Sequence, residues 1–331
     1  MVQSSPRVFV VSQKMRRLSG IMMMDRKTAN KMEKDLTIII VNHNTKEHLT
    51  KTLDSLVDKM EGIRYEIIVV DNASTDGSAF AVKRSYPSTE LIVLDHNVGF
   101  ARANNEGAKH ASGHYLLILN SDTEVPEGTV EKLIDIKKSH PDWGIVAPLI
   151  FNPDGSLQLS WGRDLHFHTE VFLKFFAEKW HRWQYRRKKS WIMRNVDWVS
   201  GACFLIEHSL YRQIGGFDER FFLYSEDADL GKRVRQLGHK IHLTSEARII
   251  HHSGQSVAGM PGRALLEAKR SQLYYYCKHN SRGALAVLRL YLRLRFWSKQ
   301  WMSRRRGDTK NQEIYARVLA TIRRFRCEDP V

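Results

Sequence analysis

The chain has 331 residues, of which 42% are apolar and 27% are charged, so it can bury a sizeable core. Aromatic residues make up 10% and prolines number only 8, which excludes a globally disordered, collagen-like or low-complexity chain. Lysine and arginine number 52 against 36 aspartates and glutamates. The resulting formal charge of +16 first suggests nucleic acid or an anionic membrane surface as a partner.

The excess positive charge lies at the two ends of the chain. Residues 1–34 carry 8 basic and 2 acidic side chains, residues 263–331 carry 17 and 5, and residues 35–262 carry 27 and 29. A nucleic-acid-binding protein usually carries its positive charge on the domain that reads the nucleic acid, and no zinc-finger, RNP or helix-turn-helix signature is present. We therefore expect no nucleic-acid partner. We interpret residues 1–34 as a disordered basic leader, with Met32 as a candidate alternative start.

The three cysteines are Cys203, Cys277 and Cys327. Their odd number and the lack of a C-x-x-C spacing argue against a disulfide framework and against a thiolate zinc site. We expect ordinary free thiols in a reducing cytoplasm.

The first half of the chain alternates strands with helices. Buried strands are predicted at 36–42, 65–71, 90–94 and 114–120 from short apolar, β-branched runs. Helices are predicted over 46–60, after 74–77, over 100–110, and from Pro126, in the first turn, to about Ser139. This alternation predicts βαβ units on a parallel sheet, an α/β nucleotide-binding architecture.

The second half is less regular. It predicts strands at 144–150 and 196–207, the latter with Gly201 inside it, a helix over 227–237 and a broken strand over 241–250. Residues 155–195 form an irregular, basic and aromatic-rich insertion, and the chain is predicted to be helical from 265 to about 306.

Polar side chains follow three predicted strands, within residues 41–44, 71–76 and 120–123. Open α/β sheets bind ligands at the carboxyl ends of their strands, so these segments are expected to meet in one crevice. Neither a G-x-G-x-x-G sequence after the first strand nor a P-loop is present to hold phosphate. A divalent metal is the usual alternative, and Asp122 offers the hard oxygen that Mg²⁺ or Mn²⁺ prefers.

Six segments together resemble the inverting family-2 glycosyltransferases with a GT-A fold, in particular their bacterial rhamnosyltransferase-like branch. They are IIIVNHN (38–44), IIVVDNASTDG (67–77), NVGFARANNEG (97–107), LILNSDT (117–123), GGFDE (215–219) and FLYSEDADL (222–230). The resemblance implies a GT-A domain over 35–262, with a nucleotide-sugar half (35–123) and an acceptor half (124–262). Residues 263–331 are then a basic, amphipathic helical extension.

The resemblance implies a donor site in the first half. The nucleotide-sugar-binding residues carried over are Val41, His43, Asp71, Asn97, Gly99, Asn104, Asn120 and Ser121. Among them, Asp71 is expected to accept a hydrogen bond from the pyrimidine ring. Asn120 stands where many relatives have the first aspartate of Asp-x-Asp, so this chain has one negative charge fewer at that point.

The resemblance also implies a metal site, a base and an acceptor site. Asp122 and His251 would hold Mg²⁺ or Mn²⁺, with His252 as an alternative ligand. Asp227 matches the family's general base, which takes the proton of the acceptor hydroxyl. The implied acceptor-binding residues are Trp198, Gly201 and Glu226.

The implied function is transfer of rhamnose or another hexose from a dTDP- or UDP-linked donor to a glycan or polyprenyl-diphosphate-linked acceptor in cell-surface polysaccharide synthesis. One alternative is a catalytically lapsed relative that only binds glycan or nucleotide sugar, which the missing first aspartate of Asp-x-Asp favours. A basic nucleic-acid-binding protein is the other alternative, suggested by charge alone.

The C-terminal extension indicates where such an enzyme would work. As a helix, residues 283–302 place Leu285, Leu288, Leu292 and Phe296 near one stripe bordered by arginine and tryptophan, which is typical of an interfacial helix. A helix that packs this stripe into a core is the alternative. We expect a cytoplasmic protein, peripheral at the inner face of the membrane and in contact with anionic lipid.

Overall fold

The computed structural model describes residues 34–57, 59–165, 193–255 and 261–328. The predicted leader, apart from Lys34, and most of the predicted insertion at 155–195 lie outside the described residues.

The strands of the described chain form one large sheet and one small one. They are β1 (Lys34–Asn42), β2 (Tyr65–Asp71), β3 (Glu90–Val93), β4 (Gly113–Asn120), β5 (Thr123–Glu124), β6 (Trp143–Phe151), β7 (Trp161–Gly162), β8 (Met193–Val196), β9 (Trp198–Val199), β10 (Cys203–Glu207) and β11 (Lys240–His251). The large sheet has the order β3-β2-β1-β4-β10-β6-β11-β5, with β8 paired to β11, and β7 pairs with β9 separately.

Helices connect these strands and follow the last of them. They are α1 (Lys46–Asp54), α2 (Ser78–Ser85), α3 (Phe100–His110), α4 (Thr129–Ser139), α5 (His208–Gln213), α6 (Glu226–Gln236), α7 (Pro261–His279), α8 (Arg282–Arg305) and α9 (Thr309–Arg324).

The sheet is mostly parallel, as the alternation of strands and helices predicts. Strand β1 runs parallel to β2 and β4, and β6 runs parallel to β11. Strand β10 lies between the two parallel groups and is antiparallel to both β4 and β6. The predicted break in the last strand is confirmed, because the register of β11 against β6 shifts between Thr244 and Arg248.

The strands are continuous apolar runs because helices cover both faces of the sheet, so that side chains on both faces are buried. Ile38 and Ile40 of β1 belong to the core cluster on one face, and Ile39, between them, belongs to the cluster on the other. All three are fully buried. This central position of β1 places its carboxyl end in the middle of the sheet edge.

Two predicted helix boundaries are wrong. The helix predicted over 46–60 ends at Asp54 and continues as a turn. Pro126 lies before α4 rather than in its first turn, because Gly128 has a φ of 75°, a left-handed conformation that a helix cannot include. The helix therefore begins at Thr129, whose N–H bonds to the carbonyl of Pro126 over 3.2 Å.

The strand predicted over 196–207 is also wrong as a single element. Trp198 and Val199 pair with β7 in the small sheet, whereas Cys203–Glu207 pair with β4 and β6 in the large one. Gly201 consequently lies in a turn between two sheets instead of inside a strand. A change of sheet partner is a tertiary event that an apolar run does not reveal.

The C-terminal extension consists of three helices rather than one continuous helical stretch to about 306. The chain breaks before α8 at Ser281, whose side chain accepts a hydrogen bond from the N–H of Ala284. The interpretation of this stripe as a membrane-facing surface is wrong, and its alternative, core packing, is correct. Leu288, Leu292 and Phe296 are buried in a core cluster with residues of α7 and α9. No helix in the described ranges is long and apolar enough to span a bilayer.

The prediction of three free thiols is wrong. Cys277 near the end of α7 and Cys327 after α9 form a disulfide with a Cα–Cα distance of 5.7 Å, while Cys203 is a buried free thiol. The bridge joins positions 50 residues apart, which meet because α9 folds back along α7 and α8.

Candidate active site

The carboxyl ends of β1 and β2 are joined by polar side chains. Nδ2 of Asn42 donates hydrogen bonds to Oδ2 of Asp71 and to Oγ of Ser74, both over 3.0 Å. The other oxygen of Asp71 accepts from the N–H of Ser74 over 2.8 Å. The hydroxyls of Thr45 and Ser121 lie 2.8 Å apart and connect this edge to the loop after β4. The three predicted polar strand ends therefore meet at one edge of the sheet.

Asn72 holds the loop that precedes α3. Its Oδ1 accepts from the N–H of Val98 over 2.8 Å, and its Nδ2 donates to Oδ1 of Asn97 over 3.1 Å. Oδ1 of Asn97 also accepts from the N–H of Gly99, and Nδ1 of His43 lies 2.9 Å from the carbonyl oxygen of Asn72. Asn72 thus holds His43 through its backbone carbonyl and the 97–99 loop through its side chain.

The loop after β4 faces the end of β11. Strand β5 pairs antiparallel with β11, so that His251 is the register partner of Thr123. Nε2 of His251 lies 3.1 Å from Oδ1 of Asp122 and 3.2 Å from Nδ2 of Asn120. All three side chains lie within contact distance at one buried to half-buried point of the edge.

The hydrogen bonds of His251 fit a cation at this point. Nδ1 lies 2.7 Å from Oε1 of Gln158, an acceptor, so we assign the ring proton to Nδ1. The lone pair of Nε2 then faces the carboxylate of Asp122, and two acceptors 3.1 Å apart need a proton or a metal ion between them. When a proton rather than a metal ion occupies that position on Nε2, the hydrogen bond and charge of the His251 ring outweigh burial, which alone would raise the pKa of Asp122, and lower that pKa.

His252 points to a different partner. Its Nε2 lies 2.7 Å from Oε1 of Glu124, and its ring centroid lies 5.0 Å from that of His48. Its backbone N–H donates to the carbonyl of Asp122, not to the carboxylate. Within the described part of the chain no three His, Cys, Asp or Glu side chains gather as a complete metal-binding group. A metal at Asp122 and His251 would need further oxygen ligands from a bound substrate or water.

Asp227 occupies the first turn of α6. Tyr224 and Ser225 both have left-handed φ angles, 72° and 67°, which turn the chain sharply into the helix. Oδ1 of Asp227 accepts from the N–H of Ala228 over 2.7 Å, and Oδ2 accepts from the N–H of Gly201 over 3.3 Å. Burial raises the pKa of Asp227 to about 6, although these backbone donors oppose the rise. The group suits the removal of a proton near neutral pH.

The two neighbouring carboxyl groups have opposite environments. Glu226 is buried, and both burial and the charge of Asp227 raise its pKa well above its usual value. Burial would also raise the pKa of Asp229, but hydrogen bonds and charges from His279, Arg233 and Lys278 lower it to about 2. Asp229 is therefore a fully ionised structural group. Of the three carboxyl groups, Asp227 is the one whose pKa is about 6.

The 97–99 loop contacts the segment that leads into α6. Gly99 has a φ of 86°, and a Cβ atom there would lie 2.5 Å from the carbonyl oxygen of Phe222. The N–H of Phe100 donates to that same oxygen over 2.9 Å. On its other side the ring of Phe100 lies against Gly201, where a Cβ would come within 2.9 Å. The 97–99 loop, the Phe222–Ser225 turn and Gly201 therefore form one packed unit around Asp227.

Comparisons with known proteins show the family of the chain. The profile described as "Glycosyl transferase family 2" matches residues 37–215. The chain belongs to glycosyl transferase family 2. The match includes β1, β2, β4 and the Asn120–Asp122 loop, and it stops before α6.

Curated relatives of this glycosyltransferase extend the match beyond that profile. N-acetylglucosaminyl-diphospho-decaprenol L-rhamnosyltransferase of Mycobacterium tuberculosis is 30% identical over 274 residues, which is 78% of this chain and 89% of that protein. Rhamnosyltransferase WbbL of Escherichia coli is 24% identical and covers 65% of this chain and 83% of that protein. The crystal structure of GalNAc-T7 with UDP, GalNAc and Mn²⁺ has a TM-score of 0.51 at 16% identity, covering 74% of this chain and 50% of that one. This last likeness supports the GT-A fold of the glycosyltransferase.

The fold of the glycosyltransferase gathers most of the residues predicted for the site. Eight of them lie at the sheet edge described above: His43, Asp71, Asn97, Gly99, Asn120, Ser121, Asp122 and His251. Val41 is the half-buried residue just before Asn42. Asn104 lies further along α3, fully buried, with its Nδ2 bonded to the carbonyl of Phe100. Trp198 is half-buried beside α6, and its indole N–H donates to the carbonyl of Arg163.

Sequence reasoning missed three side chains that position this site: Asn72, Gln158 and His279. Asn72 directly follows Asp71 at a strand end, so the signal that selected Asp71 would have found it. Gln158 stands in an irregular segment, and His279 is 50 residues from Asp229, so neither has a local signal.

Proposed function

We propose that this glycosyltransferase moves a sugar, with inversion, from a dTDP- or UDP-linked donor to an acceptor hydroxyl in cell-surface polysaccharide synthesis. L-Rhamnose is the first sugar to test, because two relatives are named as rhamnosyltransferases. The observation that carries the proposal is the half-buried Asp227, whose pKa is about 6, on the helix that follows Phe222, the residue against which Gly99 packs. A base thus adjoins the segment proposed to hold the donor.

We propose that the donor lies across the carboxyl ends of β1, β2 and β4. Val41, His43 and Asp71 would contact the base and ribose, while Asn97, Gly99, Asn104, Asn120 and Ser121 would shape the site of the sugar diphosphate. Asp122 and His251 would hold Mg²⁺ or Mn²⁺, whose positive charge stabilises the departing nucleoside diphosphate. In this division, residues 35–123 bind the donor and residues 124–262 bind the acceptor.

The proposed reaction is a single displacement. The acceptor oxygen attacks the anomeric carbon as the bond from that carbon to the diphosphate oxygen breaks on the opposite face. Asp227 takes the hydroxyl proton, and the N–H groups of Gly201 and Ala228 orient its carboxylate. Trp198, Gly201 and Glu226 would border the acceptor, and no covalent sugar–enzyme bond forms.

The proposed acceptor is a glycan or a polyprenyl-diphosphate-linked sugar. The M. tuberculosis relative is named for N-acetylglucosaminyl-diphospho-decaprenol. A lipid-linked acceptor places the working enzyme at the cytoplasmic face of the membrane.

The test is transfer by the purified full chain with Mn²⁺, a panel of nucleotide sugars and an N-acetylglucosaminyl diphosphate carrying a short prenyl chain. Asp227→Asn should lower the transfer rate by about 10²–10⁴-fold, the usual contribution of a general base. Asp142→Asn is the matched control, since Asp142 is 58% exposed and pairs only with Lys240 among the contacts observed. Near-normal transfer by Asp227→Asn would refute the assignment. Donor binding without turnover by the unaltered chain would favour the lapsed glycan-binding alternative.

A further inference from the structure

Helix α8 is apolar on two opposite faces. The inner face, with Leu288, Leu292 and Phe296, is buried in the cluster it shares with α7 and α9. The other face exposes five large apolar side chains, which we name the outer stripe: Val287 (48% exposed), Leu290 (57%), Leu294 (60%), Trp297 (60%) and Trp301 (46%).

The spacing of the outer stripe makes it a continuous surface. Its members follow one another at intervals of three, four, three and four residues, the spacing that keeps side chains on one face of a helix. At about 100° per residue, Leu294 lies roughly opposite Leu292 and Phe296. The outer stripe is therefore separate from the core, and it is the face of α8 opposite the one predicted from the sequence to meet a membrane.

The charge of α8 indicates what this surface binds. The helix contains no aspartate or glutamate, and its basic residues are Arg282, Arg289, Arg293, Arg295, Lys299, Arg304 and Arg305. Arg293 and Arg304 are exposed along one border of the outer stripe. The guanidinium of Arg305 lies 3.7 Å from the ring centroid of Trp301. Two copies of this helix would bring like charges together, whereas an anionic surface would neutralise them.

Tryptophan and leucine flanked by arginine are the composition of helices that lie in the headgroup region of a membrane. We propose that the outer stripe docks α8 on anionic membrane lipid, with the helix axis parallel to the bilayer. Leucine and tryptophan side chains enter the apolar boundary, and the arginines on the borders contact lipid phosphates.

The position of α8 relates this surface to the active site. The core cluster that contains Leu288, Leu292 and Phe296 also contains Phe221 and Ala228. Ala228 is adjacent to Asp227 on α6. The inner face of α8 and the catalytic helix thus share one layer of side chains, so a docked outer stripe would hold the acceptor half close to the lipid. The purpose of this docking rests on the proposed lipid-linked acceptor, but the docking itself does not require it.

The experiment is flotation of the full chain with vesicles of phosphatidylcholine alone or mixed with phosphatidylglycerol. The unaltered protein should float with the mixed vesicles at low salt and be released at high salt. The double variant Leu290→Gln/Leu294→Gln should lower the vesicle affinity by about tenfold or more, from lost apolar burial. Phe80→Gln is the matched control, because Phe80 is 69% exposed on α2. Arg293→Gln/Arg304→Gln should weaken binding to mixed vesicles and reduce its dependence on salt.

Three outcomes would overturn the inference: no flotation of the unaltered protein, equal flotation of the Leu290/Leu294 double variant, or a dimer in solution that this variant converts to monomers without any vesicle binding. Transfer to the short-chain, water-soluble acceptor tests the proposed function independently of membrane docking. A double variant that keeps such transfer but no longer floats is folded and active, and supports the outer stripe. Absence of such transfer in the unaltered chain would count against the proposed function alone.

Discussion

Nε2 of His279, at the end of α7, lies 2.6 Å from Oδ1 of Asp229 on α6. Asp229 is fully buried and also contacts Nζ of Lys278 at 2.7 Å and Nε of Arg233 at 2.8 Å. The first helix of the C-terminal extension is thus joined through one carboxylate to the helix that carries Asp227. The extension is part of the catalytic domain's structure, not an independent appendage.

Replacement of His279 should therefore destabilise the protein. His279→Leu keeps much of the side-chain volume but leaves Asp229 with one donor fewer in a buried position. We expect the free energy of unfolding to fall by about 1–3 kcal/mol, measured by urea denaturation. His110→Leu is the control, because His110 is 44% exposed and pairs with the exposed Glu90. Equal losses of unfolding free energy in the two variants would show that the buried His279–Asp229 contact stabilises the fold no more than the exposed His110–Glu90 pair does.

The transfer rate should rise with pH through about 6. Asp227 must be ionised to accept the hydroxyl proton, and burial raises its pKa to about 6. The rate at saturating donor, measured from pH 5 to pH 8, is expected to follow one ionisation on its acidic limb. A rate that is flat from pH 5 upward would mean that the base ionises at a lower pH.

Asp227→Asn should shift the stability of the fold upward at neutral pH while it lowers the transfer rate by about 10²–10⁴-fold. The pKa of Asp227 rises from 3.8 in the unfolded chain to about 6, so ionising it costs folding free energy. This cost is absent below pH 4, grows as the pH rises, and is complete above pH 6. Removing the ionisable group should make the protein about 1–3 kcal/mol more stable at pH 7.5, relative to the effect of the same substitution at pH 4. Urea unfolding at both pH values checks this, and an equal change at the two values would contradict it.

Gly99 should tolerate no side chain. A Cβ there meets the carbonyl oxygen of Phe222 at 2.5 Å, and its φ of 86° is unfavourable for other residues. Gly128 has a similar φ of 75° but no atom within 4 Å of its Cβ position. Gly128→Ala therefore measures the cost of a left-handed backbone alone, about 1 kcal/mol. Gly99→Ala should cost clearly more, because its ψ of 171° belongs to a region that only glycine adopts readily and the Cβ also meets Phe222. We further expect Gly99→Ala to reduce donor binding, measured by calorimetry, while Gly128→Ala leaves it unchanged.

Asn120→Asp should strengthen metal binding. The new carboxylate would face His251 beside Asp122 and restore the charge that Asp-x-Asp relatives have. We expect the Mn²⁺ concentration for half-maximal transfer to fall by about tenfold, since hard cations favour added carboxylate oxygens. In chelator the same variant should unfold at a lower temperature than the unaltered protein, because two carboxylates then repel each other. A higher Mn²⁺ requirement would place the metal away from Asn120.

The sequence predicted the sheet because its strands are local patterns. Residues 36–42 form an apolar run whose odd and even members are buried on opposite faces, so the central strand is readable without knowing its neighbours. The same holds for the polar strand ends, because parallel strands align their carboxyl ends. The strand end at Asp71 and the loop at Asp122 are therefore predictable from the sequence.

Contacts between distant segments were not predictable. The Cys277–Cys327 bridge, the Gln158–His251 pair and the His279–Asp229 pair all join positions at least 50 residues apart. Periodicity also revealed one apolar stripe of α8, that of Leu288, Leu292 and Phe296, without indicating whether it packs inward. That choice depends on α9, whose Val318 and Ile322 cover the stripe of Leu288 and Leu292.

The antiparallel strand β10 has a consequence for how this enzyme could diversify. Since β10 is antiparallel to β6, the end of β6 at Phe151 and the start of β10 at Cys203 lie at the same edge of the sheet. The described residues between them, 152–165 and 193–202, leave and rejoin the sheet at this edge. If Trp198 and Gly201 border the acceptor, as proposed, changes in this segment would alter the acceptor site and leave β1, β2 and β4 in place. Acceptor specificity could then evolve separately from donor specificity while those three strands stay unchanged.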